Sequence, residues 1–148
     1  MAKKLSKPQR HVLGDALRIV REQRARAEAD GLTGLPDGWA RPFVLGYLMG
    51  VVDGLCQAKS VAFDETALAI WGLVLDDTFG RPASDALRRR GVALLQAGDP
   101  AFGRGRPWGG NEAMGFASGE IVPEGLVHVA RGDEARMGGP VIPPTASA

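Results

Sequence analysis

The stretch FVLGYLMGVVDGLCQ, residues 43–57, constrains the fold of this chain more than any other segment. Gly46, Gly50 and Gly54 recur every four residues, so on a helix they share one slowly drifting face. Each glycine costs a helix about 1 kcal/mol relative to alanine. A compensating contact is therefore needed, and the usual one is close approach of another backbone. We predict that this face packs against a second helix, or against the same helix of a second subunit.

The carboxylate of Asp53 lies on the same predicted helix face as the three glycines. Asp53 and Gln57 share the glycine side of the predicted helix, whereas the opposite side is apolar. A buried carboxylate without a partner is too costly to tolerate. Asp53 therefore pairs with an arginine or with helix-end amides, or forms a small-ligand or enzyme site with Gln57 and Trp71, unless it is simply exposed to solvent. We favour the structural pairing.

Start and stop residues predict an all-α fold with four main helices in a compact bundle over residues 1–98. The helices are expected near residues 8–30, 42–58, 64–79 and 82–97. Ser6 and Asp64 are suited to cap the first and third, and Gly98 to end the fourth. The apolar stripe of the first helix thins after Val20, so REQRAR (residues 21–26) is expected to be a solvated extension.

Glycine and proline dominate the last third of the chain. We expect residues 99–137 to be a glycine-rich, largely irregular segment that packs on the helical domain or extends from it. A turn or two of helix is expected from Asn111 to Phe116, and a short strand or extended arm over 125–130. Residues 138–148 read as a disordered tail.

Residues 103–110, GRGRPWGG, contain the Arg-Gly-Arg-Pro core of a minor-groove DNA-binding peptide. Such a peptide needs an extended backbone and basic flanks that neutralise phosphates. Here the flanks are not basic, and the bulky Trp108 follows the proline directly. We therefore favour a glycine-rich loop in which Arg104, Arg106 and Trp108 pack on the helices or contact a partner.

The chain carries 18 basic and 17 acidic residues, a net charge of +1, which argues weakly against a dedicated nucleic-acid binder. The run Arg88, Arg89 and Arg90 is expected to form a solvated helix face, with contact to nucleic acid or an acidic partner as the alternative. No nucleotide-binding glycine loop is present, and the two histidines lack metal-ligand spacing. We expect neither a cofactor nor a metal.

These patterns favour a small cytoplasmic, non-enzymatic protein over an enzyme, and one that acts by protein–protein interaction or by self-association as a dimer. Cys56 is the only cysteine, which suits a reducing compartment, and no apolar run is long enough to cross a membrane. The first alternative is a nucleic-acid-associated accessory or regulatory protein that uses the arginine-rich surfaces. The second is a small-ligand or enzyme site around Asp53.

Overall fold

The structure is a computed structural model of the 148-residue chain, and it describes residues 4–32 and 39–133. Within these ranges the chain forms six α-helices and no β-strand. They are α1 (Lys7–Ala29), α2 (Pro42–Ala58), α3 (Glu65–Phe79), α4 (Arg81–Ala97), α5 (Pro100–Ala117) and α6 (Gly125–Ala130). The predicted all-α class is therefore confirmed. The predicted tail, residues 138–148, lies outside the described residues.

Short-range hydrogen bonds explain where the first helices begin and end. The Ser6 hydroxyl accepts from the Gln9 amide at 3.2 Å, and the Gln9 side chain accepts from the Ser6 amide at 2.8 Å, which forms a capping box. Asp64 caps α3 by accepting from the Thr66 amide at 3.0 Å. Gly98 ends α4 with a φ of 68°, in the left-handed region that favours glycine.

Residues 100–117 form α5, an 18-residue helix, where the glycine-rich composition predicts an irregular segment. That prediction is wrong for these residues, and the bundle has five long helices rather than four. Asp99 caps α5 by accepting from the Phe102 amide at 3.0 Å, and Pro100 occupies the first turn, where a missing N–H costs little. Gly105 and Gly109, two of the glycines that weaken its helix propensity, lie against the backbone of α2, so tertiary packing outweighs propensity.

Pro107 lies inside α5 and does not end it. Proline lacks an N–H, so the carbonyl of Gly103, four residues earlier, loses its usual helical donor. Gly103 is exposed, and this carbonyl can be hydrated instead. The RGRP stretch is consequently helical, and the predicted loop conformation is wrong.

Residues 125–130 form the short helix α6 rather than the predicted strand or arm. Leu126 and Val129 lie one helical turn apart and are buried on α1 and α2. At the centre of the molecule is α2, in which 13 of 17 residues are buried. Around it pack α1, α3 and α5, with α4 packed mainly on α3.

Candidate functional site

The helices α2 and α5 lie side by side with their backbones in contact. At five glycines an added Cβ would overlap a backbone atom of the other helix: Gly46, Gly50 and Gly54 on α2, and Gly105 and Gly109 on α5. We call these five residues the glycine seam. Gly50 faces the carbonyl of Arg106 and Gly54 faces that of Gly110, so the two helices run parallel. The glycine face of α2 is therefore covered by α5, a helix of the same chain.

Asp53 lies at the edge of the glycine seam and is paired. Its Oδ2 accepts from Nη2 of Arg106 at 3.1 Å, with 27% of the Asp53 side chain and 29% of the Arg106 side chain exposed. The Gln57 side-chain amide donates to Oδ1 of Asp53 at 3.4 Å. The Arg106 guanidinium also lies 5.7 Å from the centre of the Phe63 ring. The carboxylate is therefore neutralised by an arginine of α5 that is itself held in place.

A cleft of about 330 Å³ lies beside this pair. Its lining includes Asp53, Gln57, Arg106 and Asn111. The two charges in the lining neutralise each other, so the cleft offers a ligand mainly the side-chain amides of Gln57 and Asn111 and the apolar side chains of Pro107 and Met114. The structure thus brings Asp53 and Gln57 together at an ion pair.

Trp71 does not line this cleft. Its indole is buried between α3 and α2, where Nε1 donates to the carbonyl of Leu45 at 3.3 Å. A Cβ added at Gly91 would overlap the ring, so the indole fills the space that this glycine of α4 leaves. Trp71 is a core residue that joins three helices.

The arginines singled out by the sequence have separate surroundings. Nη2 of Arg88 bonds Asp76 at 3.0 Å and the carbonyl of Gly72 at 3.2 Å. Arg90 donates to the carbonyl of Ala40 at 3.2 Å, while Arg89 is exposed. The charge of Arg88 is thus already matched by a carboxylate of its own chain, as is that of Arg106.

The remaining residues of the RGRP segment lie on α5. The extended backbone that minor-groove binding needs is absent there, because Arg104 to Pro107 are helical. Arg104 is half-buried, and Trp108 packs against the hydrophobic core with part of its ring covered.

A buried polar network joins α1, α2, α5 and α6, and the sequence pattern did not indicate it. The Gln23 side chain donates to the Tyr47 hydroxyl at 2.9 Å, and that hydroxyl donates to Glu112. Glu112 in turn accepts from the Gly125 amide at 3.0 Å, and Gln23 accepts from the Leu126 amide at 2.8 Å. The network therefore gives hydrogen-bond acceptors to the amides at the start of α6 that have no partner within the helix.

Gln23 belongs to the segment that the sequence predicts to be solvated, and this prediction is wrong for that residue. It is fully buried on the face of α1 that also buries Val20 and Ala27. The 3–4 spacing of that face continues through Gln23, which is the signal that could have placed it. Burial and the neighbouring Glu112 carboxylate raise the pKa of Tyr47 well above its usual 10.0. Tyr47 is therefore held neutral as a hydrogen-bond donor.

The outward face of α3 differs from these covered surfaces. Ala69 and Leu73, one helical turn apart, are exposed, with 40% of Leu73 accessible. They lie in a groove of about 690 Å³ whose walls include Leu5, from the segment before α1, and Arg81 and Arg88 of α4. We call this surface, with Glu65 and Asp64 at its other end, the α3 groove. It combines an apolar floor with charged ends.

Other exposed apolar side chains lie at the end of α5 and in the turn after it. Met114 is 43% accessible, and Ile121 and Val122 are also exposed. Ile121 covers Gly115, because a Cβ on that glycine would overlap the isoleucine side chain. Among residues 4–32 and 39–133, no group of three or more His, Cys, Asp or Glu side chains is placed to hold a metal ion. No helix in the described part of the chain combines the length and apolarity needed to cross a bilayer.

Comparison with family models, with curated proteins and with solved structures found no match to this chain.

Proposed function

We propose that this protein acts by protein–protein interaction, without catalysis, and that it self-associates through the α3 groove. The observation that carries the proposal is the exposure of Leu73 beside Ala69 on a helix whose other apolar residues are buried or half-buried. A leucine with 40% of its surface accessible gains free energy when a partner covers it, at about 25 cal/mol per Å². The small side chain of Ala69 lets a second helix approach closely.

The choice of surface follows from what each helix already contacts. The glycine seam has no room for a second subunit, because α5 of the same chain occupies the face of α2 that the sequence pattern marks for close packing. The face of α3 that carries Leu73 retains an open groove. Self-association is accordingly proposed at α3 and not at α2.

Sedimentation velocity over a concentration series, from the low micromolar to the submillimolar range, tests this proposal. The wild-type chain is expected to shift from monomer to dimer as concentration rises. Leu73→Arg places a charge on the apolar floor and is expected to keep the chain monomeric throughout. Met114→Arg is the matched control, because Met114 has a similar exposed fraction of 43% but lies on α5.

Thermal melts of both variants check that neither change unfolds the chain. A wild-type chain that stays monomeric over the whole series would contradict self-association. So would equal weakening of the dimer by Leu73→Arg and Met114→Arg, since the surface would then be misplaced.

A further inference from the structure

One end of the α3 groove is acidic, and the other end carries the exposed cation Arg81. Asp64 and Glu65 lie at the start of α3, while Arg81 and Arg88 flank its end. Resting on the proposed function, we infer that the occupant of the groove is a second copy of this chain. Its α3 runs antiparallel to the first, across a two-fold axis that passes between Ala69 and Leu73.

The spacing along α3 carries the two-fold arrangement. Glu65 and Asp76 are about 16 Å apart along the helix axis at 1.5 Å per residue. The midpoint between them falls between Ala69 and Leu73, at the apolar centre of the exposed face. A two-fold axis there exchanges the ends of the groove, so Glu65 of one copy comes opposite the end of α3 in the other.

The cations at that end are placed to receive Glu65. The Nε atom of Arg81 lies 3.9 Å from Oδ2 of Asp76, and 76% of the Arg81 side chain is exposed. Asp76 is also bonded by Arg88 at 3.0 Å, and Arg88 lies 4.0 Å from Asp85, so Arg88 is engaged by carboxylates of its own chain and Arg81 is the cation that can turn toward a second copy. Glu65 makes no ion pair with any residue that the structure describes. Two symmetric pairs, each between Glu65 and the other copy's Arg81, then form at the rim.

The same charges decide against other arrangements. A parallel second copy would bring acidic end against acidic end and basic end against basic end, and such like-charge contacts are strongly unfavourable. An antiparallel copy matches both ends with residues that the chain already carries. An isologous dimer requires that one surface carry both partners of each contact, and the α3 groove carries both Glu65 and Arg81.

Charge-reversal variants, alone and mixed, test this inference in sedimentation and in fluorescence-anisotropy titrations of labelled protein. Glu65→Arg alone places arginine against Arg81 twice, and Arg81→Glu alone places glutamate against Glu65 twice. Each is expected to weaken self-association at least about tenfold. An equimolar mixture forms a heterodimer in which both pairs are again opposite in sign, and is expected to recover affinity to within about threefold of wild type. The double variant Glu65→Arg/Arg81→Glu is expected to recover in the same way.

Glu65→Gln and Arg81→Gln are the neutral variants: neither homodimer contains a Glu65–Arg81 pair, whereas their mixture restores one such pair in each heterodimer, so this mixture is expected to recover less affinity than the charge-reversal mixture. Melting temperatures of every variant exclude unfolding as the cause of any loss. If the charge-reversal mixture associates no better than its separate components, the antiparallel arrangement is wrong. A second outcome separates the two proposals. If the wild type dimerises and Leu73→Arg abolishes the dimer, but the charge-reversal mixture does not recover affinity, the antiparallel arrangement is wrong and self-association through the α3 groove stands. A wild-type chain that never dimerises overturns both this inference and the proposed function.

Discussion

Two helix surfaces made of small and apolar residues differ in whether another part of the chain covers them. The glycine face of α2 is covered by α5 at backbone contact, whereas the Ala69–Leu73 face of α3 is open. The sequence marks the first surface strongly, through three glycines at four-residue spacing, and the second only weakly. The difference teaches that small-residue spacing indicates close approach but does not identify which helix approaches.

The two surfaces also differ in what a larger side chain does there. At the glycine seam an added Cβ overlaps the carbonyl backbone of the partner helix, which can yield only if the helices separate. On the α3 face a larger or charged side chain extends into the groove. Substitutions at the seam should therefore affect folding, and those on α3 should affect association.

The largest expected effect is that of Gly50→Leu at the seam. Its side chain would have to occupy the space of the Arg106 carbonyl, so we expect a loss of at least about 3 kcal/mol in unfolding free energy, despite the better helix propensity of leucine. Chemical denaturation monitored by circular dichroism measures this loss. Gly14→Leu on α1 is the control, because no atom lies within 4 Å of a Cβ added at Gly14. Equal stability of the two variants would show that the helices are not in backbone contact.

A smaller loss is expected when the side-chain bond across the same pair of helices is removed. Glu112→Ala deprives the Tyr47 hydroxyl and the Gly125 amide of their acceptor, and buried groups left unsatisfied cost about 1–3 kcal/mol. Glu112→Gln keeps an acceptor oxygen and should lose less. Limited proteolysis between α5 and α6 should accelerate in Glu112→Ala before global unfolding. If Glu112→Gln is the more damaging change, the network does not bond as described.

Alkaline pH should weaken the fold through the same network. The pKa of Tyr47 is raised by burial and by Glu112, so the folded state keeps a proton that the unfolded chain loses above about pH 10. This contribution is fully present below that pH and is lost as pH rises toward the folded pKa. Burial also raises the pKa of Cys56 to about 11, which acts in the same direction.

Denaturation curves recorded from neutral to strongly alkaline pH should therefore show a falling free energy of unfolding. In Tyr47→Phe this fall should be smaller, and the remaining fall should be the contribution of Cys56. Tyr47 is the only tyrosine, so tyrosinate absorbance reports this one hydroxyl. Ionisation of the native protein near pH 10 without unfolding would contradict its burial.

The smallest expected effect is a gain in stability within α5 itself. Gly103→Ala should stabilise by up to about 1 kcal/mol, because a Cβ there meets no atom within 4 Å and alanine favours the helix. Gly109→Ala should have the opposite sign, since its Cβ would overlap the Tyr47 carbonyl. Thermal melts of the two variants compare an open and a seam glycine in one helix. Stabilisation by both would show that α5 does not lie against α2.

The ends of several helices can be predicted from the local sequence. Ser6, Asp64 and Gly98 bound their helices through caps and a left-handed φ that the sequence alone predicts. The helical state of residues 100–117 cannot be predicted from local sequence, because Gly105 and Gly109 become favourable only once α2 lies against them. The 3–4 spacing of α1 places Gln23 on the buried face, but the partners that satisfy its polar side chain, Tyr47 and Leu126, lie far along the chain and cannot be predicted locally.

The candidate surfaces follow the same division. Asp53 and Gln57 are adjacent on one helix, and their proximity follows from spacing alone. The pairing of Asp53 with Arg106, and the burial of Trp71 away from both, depend on how α5 and α3 dock. The α3 groove cannot be predicted from the sequence, because its walls come from α4 and from the segment before α1, which are distant from α3 or separated from it by a turn.

Methyl-resolved NMR with a soluble paramagnetic cosolute tests most directly which surface each helix leaves for a second copy. The spectra are recorded at concentrations where the chain is dimeric and again after dilution to monomer. We predict that the methyl signals of Ala69 and Leu73 become strongly broadened by the cosolute on dilution, while those of Val51, beside the glycine seam, stay protected at both concentrations. Exposure of Val51 on dilution, with Leu73 equally accessible in both samples, would contradict the account and place the association surface on α2.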